Sequence, residues 1–118
     1  MTTTSGADLI DEAKARIRQV TPAEAISDSG SNLVFLDVRE RNEWNLGHIP
    51  NAIHIPRGSM ETKVEALIPR DRRIVIYCAS GNRSAFATDT LNQMGYEDVA
   101  SMSQGIRGWI DAGGEVES

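Results

Sequence analysis

Arg73-Ile74-Val75-Ile76-Tyr77-Cys78-Ala79-Ser80-Gly81-Asn82-Arg83-Ser84 decides the fold. After Arg73 the run is apolar without a break, as expected of a strand buried on both faces of a sheet. A short polar loop with one glycine follows, and a helix then reads over residues 84–94. Phe86, Ala87, Leu91 and Met94 predict its apolar stripe, and Met94-Gly95 its end. Asn32-Leu33-Val34-Phe35-Leu36 repeats the apolar run and ends at Asp37. Weaker strand signals lie at Ile53-His54-Ile55 and Val99-Ala100-Ser101, with helix-like stretches over 60–68 and 105–111. Strand alternating with helix predicts an α/β domain: a mainly parallel sheet of about five strands, with helices on both faces. Sites in such sheets collect beyond the carboxyl ends of the strands, where Asp37 and Cys78 both fall.

Upstream, Leu9, Ile10, Ala13 and Ile17 follow helical spacing after a Thr/Ser/Gly leader over residues 1–6, which is expected to fray. Thr21-Pro22-Ala23-Glu24 predicts a second helix start, with Thr21 as cap, Pro22 in the first turn and Glu24 closing a capping box. That helix is expected to end near the turn cluster over residues 28–32. The organisation expected is a leader and extra helix over 1–18, one domain over 19–114 and a tail over 115–118.

The chain has 118 residues, 40% apolar and 25% charged, which fits one globular domain and excludes collagen-like, largely disordered and disulfide-stapled classes. Seventeen acidic against twelve basic side chains leave a net charge of −5. That balance argues against nonspecific nucleic-acid or anionic-membrane binding, which needs a basic footprint. No apolar stretch approaches the ~20 residues of a membrane span, and no signal-peptide core stands near the start. The expectation is a soluble, cytoplasmic protein. Cys78 is the single cysteine, so no internal disulfide forms. On count alone, a nucleophile and an inert buried hydrophobe are equal readings.

The loop separates them. The first turn of the following helix carries unpaired N–H groups and a partial positive charge. A tight loop ahead of it curls its own N–H groups into an anion-binding nest, with Gly81 suited to the positive φ the curl needs. Arg83 adds a full charge, and a cysteine so placed has its pKa lowered towards the thiolate, the nucleophilic form.

Cys78-x-x-Gly81-x-Arg83-Ser84 resembles the active loop of single-domain rhodaneses, the thiosulfate:thiol-type sulfurtransferases. Asp37-Val38-Arg39-Glu40, Glu43-Trp44 and Gly47-His48-Ile49-Pro50-Asn51-Ala52 resemble the upstream signature of that family. Ile53-His54-Ile55-Pro56 resembles the strand after it, and Gly105-Ile106-Arg107-Gly108-Trp109 with Gly113 the C-terminal signature. Asn51 stands where the family often has glycine, and asparagine tolerates the left-handed turn. The resemblance implies a rhodanese-like three-layer fold and a two-step transfer. Cys78 takes a sulfane sulfur from thiosulfate or a persulfide donor, and a thiol, cyanide or protein acceptor removes it. No metal or organic cofactor is implied. Phosphatases and arsenate reductases on a similar scaffold carry five residues between cysteine and arginine, whereas Ala79, Ser80, Gly81 and Asn82 make four here. A persulfide carrier or a regulatory binding module are the remaining alternatives.

Cys78 is therefore the expected catalytic residue, Ala79, Ser80, Gly81, Asn82, Arg83 and Ser84 the anion-binding loop, and Asp37, Arg39 and Glu43 its support. Ser80 and Asn82 are expected to contribute backbone donors. Arg83 has two readings: donor binding, or pairing with Asp37 or Glu43 to brace the loop. His48 and His54 read as structural, because a thiolate with a depressed pKa needs no general base. Two histidines and one cysteine are a poor basis for a zinc site. Trp44 and Trp109 read as packing residues.

Overall fold

The computed structural model describes residues 4–30 and 32–118. Met1–Thr3 of the expected leader and Ser31 of the expected turn cluster lie outside the described residues. Five strands form one sheet: β1 (Arg18–Val20), β2 (Leu33–Asp37), β3 (Ile53–His54), β4 (Arg73–Tyr77) and β5 (Val99–Met102). Their order is β1-β5-β4-β2-β3, and every pairing is parallel. Among the described residues six α-helices accompany them: α1 (Gly6–Arg16), α2 (Pro22–Asp28), α3 (Arg41–Asn45), α4 (Met60–Leu67), α5 (Asn82–Gln93) and α6 (Gly105–Asp111).

The period-two alternation of the strands divides the core. Ile74, Ile76 and Cys78 face one layer with Leu36 and Val38, against Met60 and Val64 of α4 and Ala87 and Leu91 of α5. Val75 and Tyr77 face the other with Phe35, against Ala25 of α2 and Ile106 and Trp109 of α6. Helices thus cover both faces, and α1 packs outside α5. Thr21 caps α2 as expected, its hydroxyl accepting from the Glu24 N–H at 3.1 Å while the Glu24 carboxylate accepts from the Thr21 N–H at 2.9 Å.

Three local readings change. β1 and α3 carry no strong signal in the sequence and are present. The buried face of α5 is Ser84, Ala85, Ala87, Thr88 and Leu91, and Phe86 stands half-buried beside it rather than on the stripe. The last residues return to the domain, with His48 and Glu117 exchanging two 2.8 Å backbone hydrogen bonds. Among the described residues, no helix is long and apolar enough to cross a membrane.

Connections leave β2 towards β3 and leave β4 towards β5, in opposite directions across the sheet. The crevice beyond the carboxyl ends of β2 and β4 is therefore the topological switch point, where open α/β sheets hold their ligands. Asp37 and Tyr77 are register partners there, and Cys78 is the next residue on.

A buried ion pair closes the β2 side of this crevice. The Arg39 Nη2 donates to Asp37 Oδ2 at 2.8 Å and to the Gly47 carbonyl at 2.7 Å, and its Nε reaches both carboxylate oxygens at 3.1 Å. The two side chains are 7% and 0% exposed. Removing one partner of such a pair leaves an uncompensated buried charge. Asp37→Ala is expected to cost about 3–5 kcal/mol in urea unfolding, and the Asp37→Leu/Arg39→Met double variant less than that single change. Equal losses in the two variants would show that lost packing, not an uncompensated buried charge, sets the cost.

Candidate active site

Cys78 takes its direction from β4. Two residues beyond Ile76 on the same face, its sulfur points at the start of α5 and is 1% exposed. Gly81 sits ahead of that helix at φ 106°, a conformation that side-chain-bearing residues rarely adopt. The curl it permits turns its N–H onto the Cys78 Sγ at 3.1 Å. The Ser84 Oγ lies 3.6 Å from the same sulfur. Burial pushes the thiol up, but the Ser84 hydroxyl and the N–H groups of Ser84, Gly81 and Ser80 together bring it below its ordinary value. Asn82 does not bond the sulfur and stands exposed at the head of α5.

The opposite wall of the loop is the start of α6. The Ile106 N–H donates to the Cys78 carbonyl at 2.9 Å. A Cβ on Gly105 would stand 2.5 Å from that carbonyl oxygen and from the carbonyl of Ala79, so only glycine lets the two backbones meet. Gln104 and Gly105 both take left-handed φ values, 64° and 55°, to turn the chain into this contact.

Arg83 pairs with one of the two carboxylates within its reach. Its guanidinium grips Glu43 through two bonds of 2.7 and 2.9 Å, while Asp37 is taken by Arg39. This fork lowers the Glu43 carboxyl from 4.5 to about 2, chiefly through the Arg83 hydrogen bond, and raises Arg83 in turn. The positive charge of the loop is thereby neutralised. The sulfur is left to N–H groups, a hydroxyl and the helix dipole rather than to a free guanidinium. Glu43 itself stands on α3, immediately before Trp44.

The histidines hold the frame behind this wall. His48 stacks on Trp44 with ring centroids 3.4 Å apart, and its Nδ1 lies 3.2 Å from the Trp44 carbonyl. His54 Nε2 lies 2.8 Å from the Arg39 carbonyl. Neither histidine bonds Cys78. Trp109 is 4% exposed, edge-on to Phe35, and its Nε1 donates to the Glu115 carbonyl. Asn51 adopts φ 65°, the left-handed turn its identity suggests. One polar residue went unread in the sequence: Ser101 on β5, whose Oγ lies 2.8 Å from that of Ser84.

Residues 20–112 match the rhodanese-like domain family. A sulfurtransferase of Allochromatium vinosum is 37% identical over 82 residues, which cover 70% of this chain and 76% of that protein. The chain belongs to the rhodanese-like domain family. A putative sulfur carrier protein of Bacillus subtilis is 40% identical over 70% of the chain, and the matching region spans 44% of that longer relative. Among solved structures, a Rhodopseudomonas palustris protein of unknown function, described as a possible tyrosine phosphatase, superposes with TM-score 0.87. It is 35% identical, with 99% of this chain and 98% of that one covered. Homologues of this rhodanese-like domain thus include sulfurtransferases and sulfur carriers.

The depressed Glu43 carboxyl fixes the sign of a pH effect. A carboxylate bound more tightly in the folded state contributes stability fully above its unfolded pKa, and loses it as pH falls through the folded one. The domain should therefore lose about 1 kcal/mol between pH 4.5 and about 2 through this pair. Glu43→Gln should be less stable at neutral pH and lack that increment in acid. Parallel urea curves for the two proteins across this range check it, and identical acid limbs would remove Glu43 as a brace.

Proposed function

We propose that this rhodanese-like domain is a sulfurtransferase that works through a persulfide on Cys78. One observation carries the reading: a single cysteine whose sulfur accepts an N–H bond from a left-handed loop glycine, with its thiol shifted towards the thiolate. The thiolate attacks the outer sulfur of thiosulfate. A new S–S bond forms, the S–S bond of the donor breaks, and sulfite leaves with the electron pair. The charge then rests on the outer sulfur of the persulfide, where the loop donors stabilise it. A thiolate, cyanide or an acceptor cysteine of a protein attacks that sulfur, and Cys78 departs as the thiolate. No proton is withdrawn by a base, in keeping with histidines engaged in packing. The chemistry needs a reduced thiol, which a cytoplasmic setting maintains.

The relatives named a sulfurtransferase and a putative sulfur carrier support the first half-reaction and divide over the second. A carrier loads sulfur but hands it only to a protein, whereas an enzyme turns over with small acceptors. The possible phosphatase among the structural neighbours raises a different reading. Against it stand the four-residue spacing and the occupied guanidinium of Arg83, which a phosphate ester needs free.

Thiosulfate is expected to add the mass of one sulfur atom to the intact protein, and a reducing thiol to remove it. Cys78→Ser should lose both the adduct and turnover with cyanide while keeping its fold by circular dichroism. Turnover by that variant at the native rate would eliminate the nucleophile. Aryl phosphate hydrolysis should stay at the background of Cys78→Ser, and hydrolysis that depends on Cys78 would favour the phosphatase reading.

A further inference from the structure

Ser101 is a hydroxyl where the fold asks for a hydrocarbon. It pairs in register with Ile76 of β4 and is two residues from Val99, so it lies on the apolar face that α4 and α5 cover. It is 0% exposed, as is Ser84. A buried hydroxyl without a partner is costly, and among the described residues the only side-chain partner of Ser101 is Ser84 Oγ, at 2.8 Å. Ser84 Oγ in turn lies 3.6 Å from the Cys78 sulfur. The nearby Thr88 hydroxyl is engaged elsewhere, donating to the Ser84 carbonyl at 2.8 Å.

Only one orientation of this chain satisfies every proton when the sulfur is anionic. Ser101 donates to Ser84, and Ser84 donates to the sulfur. In the reverse orientation Ser84 donates to Ser101, turns its lone pairs to the anion, and leaves the Ser101 proton without an acceptor. Hydroxyls in series also polarise one another, so a Ser84 oxygen that accepts a bond is the stronger donor. Without Ser101, the Ser84 hydroxyl is free to turn back to a carbonyl of the preceding turn, as serines in helices do.

We propose that Ser101 is a positioning residue: its hydroxyl commits the Ser84 proton to the sulfur anion of Cys78. The proposal rests on the reading of Cys78 as the reacting sulfur. The charged groups around the sulfur are already accounted for. Arg83 on α5 is held by Glu43 of α3, with Glu40 beyond it; Asp37 at the end of β2 is held by Arg39, and Asp89 on α5 by Arg16. A change at Ser101 therefore alters the hydroxyl chain and no ion pair.

The test is the pH midpoint of thiolate formation, followed by ultraviolet thiolate absorbance, with Cys78→Ser as the blank. Cys78 is the sole cysteine, so the signal has one source. Ser101→Ala is expected to raise the midpoint by about 0.5 unit, roughly threefold less thiolate well below it. Ser101→Thr, which keeps the hydroxyl, should restore it. In a Ser84→Ala background the same Ser101→Ala change should move the midpoint no further. A midpoint unchanged in Ser101→Ala, or moved equally with and without the Ser84 hydroxyl, overturns the proposal. If Ser101→Ala does not fold, Ser101→Thr against Ser101→Val gives the same comparison in equal shapes, and equal midpoints overturn it. Sulfur loading of the native protein by thiosulfate is scored separately. A shifted midpoint without loading sinks the sulfurtransferase reading and leaves the hydroxyl chain standing. Loading with an unshifted midpoint does the reverse.

Discussion

The Asp37–Arg39 fork at the carboxyl end of β2 is the fixed point from which the site is built. Arg39 holds the Gly47 carbonyl at one end of the 40–47 segment, and its own carbonyl meets His54 at the start of the next connection. Between those ties stands α3, which presents Glu43 to Arg83. The Cys78 loop is thus tied to a neighbouring strand through two ion pairs in series, one buried and one half-exposed. A buried pair contributes little net stability, because desolvation offsets attraction. Its effect is positional. No buried side-chain nitrogen or oxygen of the fork lacks a partner among the described residues, so β2, the turn at Gly47 and the α3 segment adopt one arrangement.

That arrangement decides where the arginine of the loop is held. A guanidinium beside a cysteine suggests direct electrostatic activation. With Glu43 gripping both of its terminal nitrogens, Arg83 is held away from the sulfur, whose recorded donors are the Gly81 N–H and the Ser84 hydroxyl. Backbone N–H groups held by a left-handed glycine and by the contact of Gly105 with Ala79 need no reorganisation when charge moves onto the sulfur. A fixed ring of donors is also short-ranged, which suits one sulfur atom at bonding distance better than a diffuse anion.

The central elements were legible because their signals are local. An apolar run ending in a glycine-containing polar loop specifies strand, turn and helix whatever surrounds it, and β4 and α5 follow that reading closely. β1 was illegible for the opposite reason. Two of its three residues are exposed, and Arg18 is in a strand only because Ala100 of β5 lies beside it. α3 has five residues, too few to sustain a helix alone, and is held by its ends. The sequence offered Arg83 two carboxylates, and the choice between them depended on Arg39, which lies only two residues from Asp37 and reaches it first. Ser101 was hidden because a serine in a weak strand signal carries no mark of the face it occupies. The partnership of Gly105 with the loop spans more than twenty residues, and nothing in either segment alone announces it.

Burial of the cysteine has two opposing consequences for the proposed chemistry. Placing Cys78 at 1% exposure opposes ionisation, and the donors around it must first overcome that. The same enclosure strengthens each of those bonds once the anion forms, because the surroundings screen them weakly. It also keeps water from the inner sulfur, so a persulfide there meets only acceptors that enter through the mouth of the loop. A surface cysteine with the same pKa would lack that filter. The depth of the sulfur, rather than its acidity alone, is what separates a site for sulfur transfer from an exposed reactive thiol.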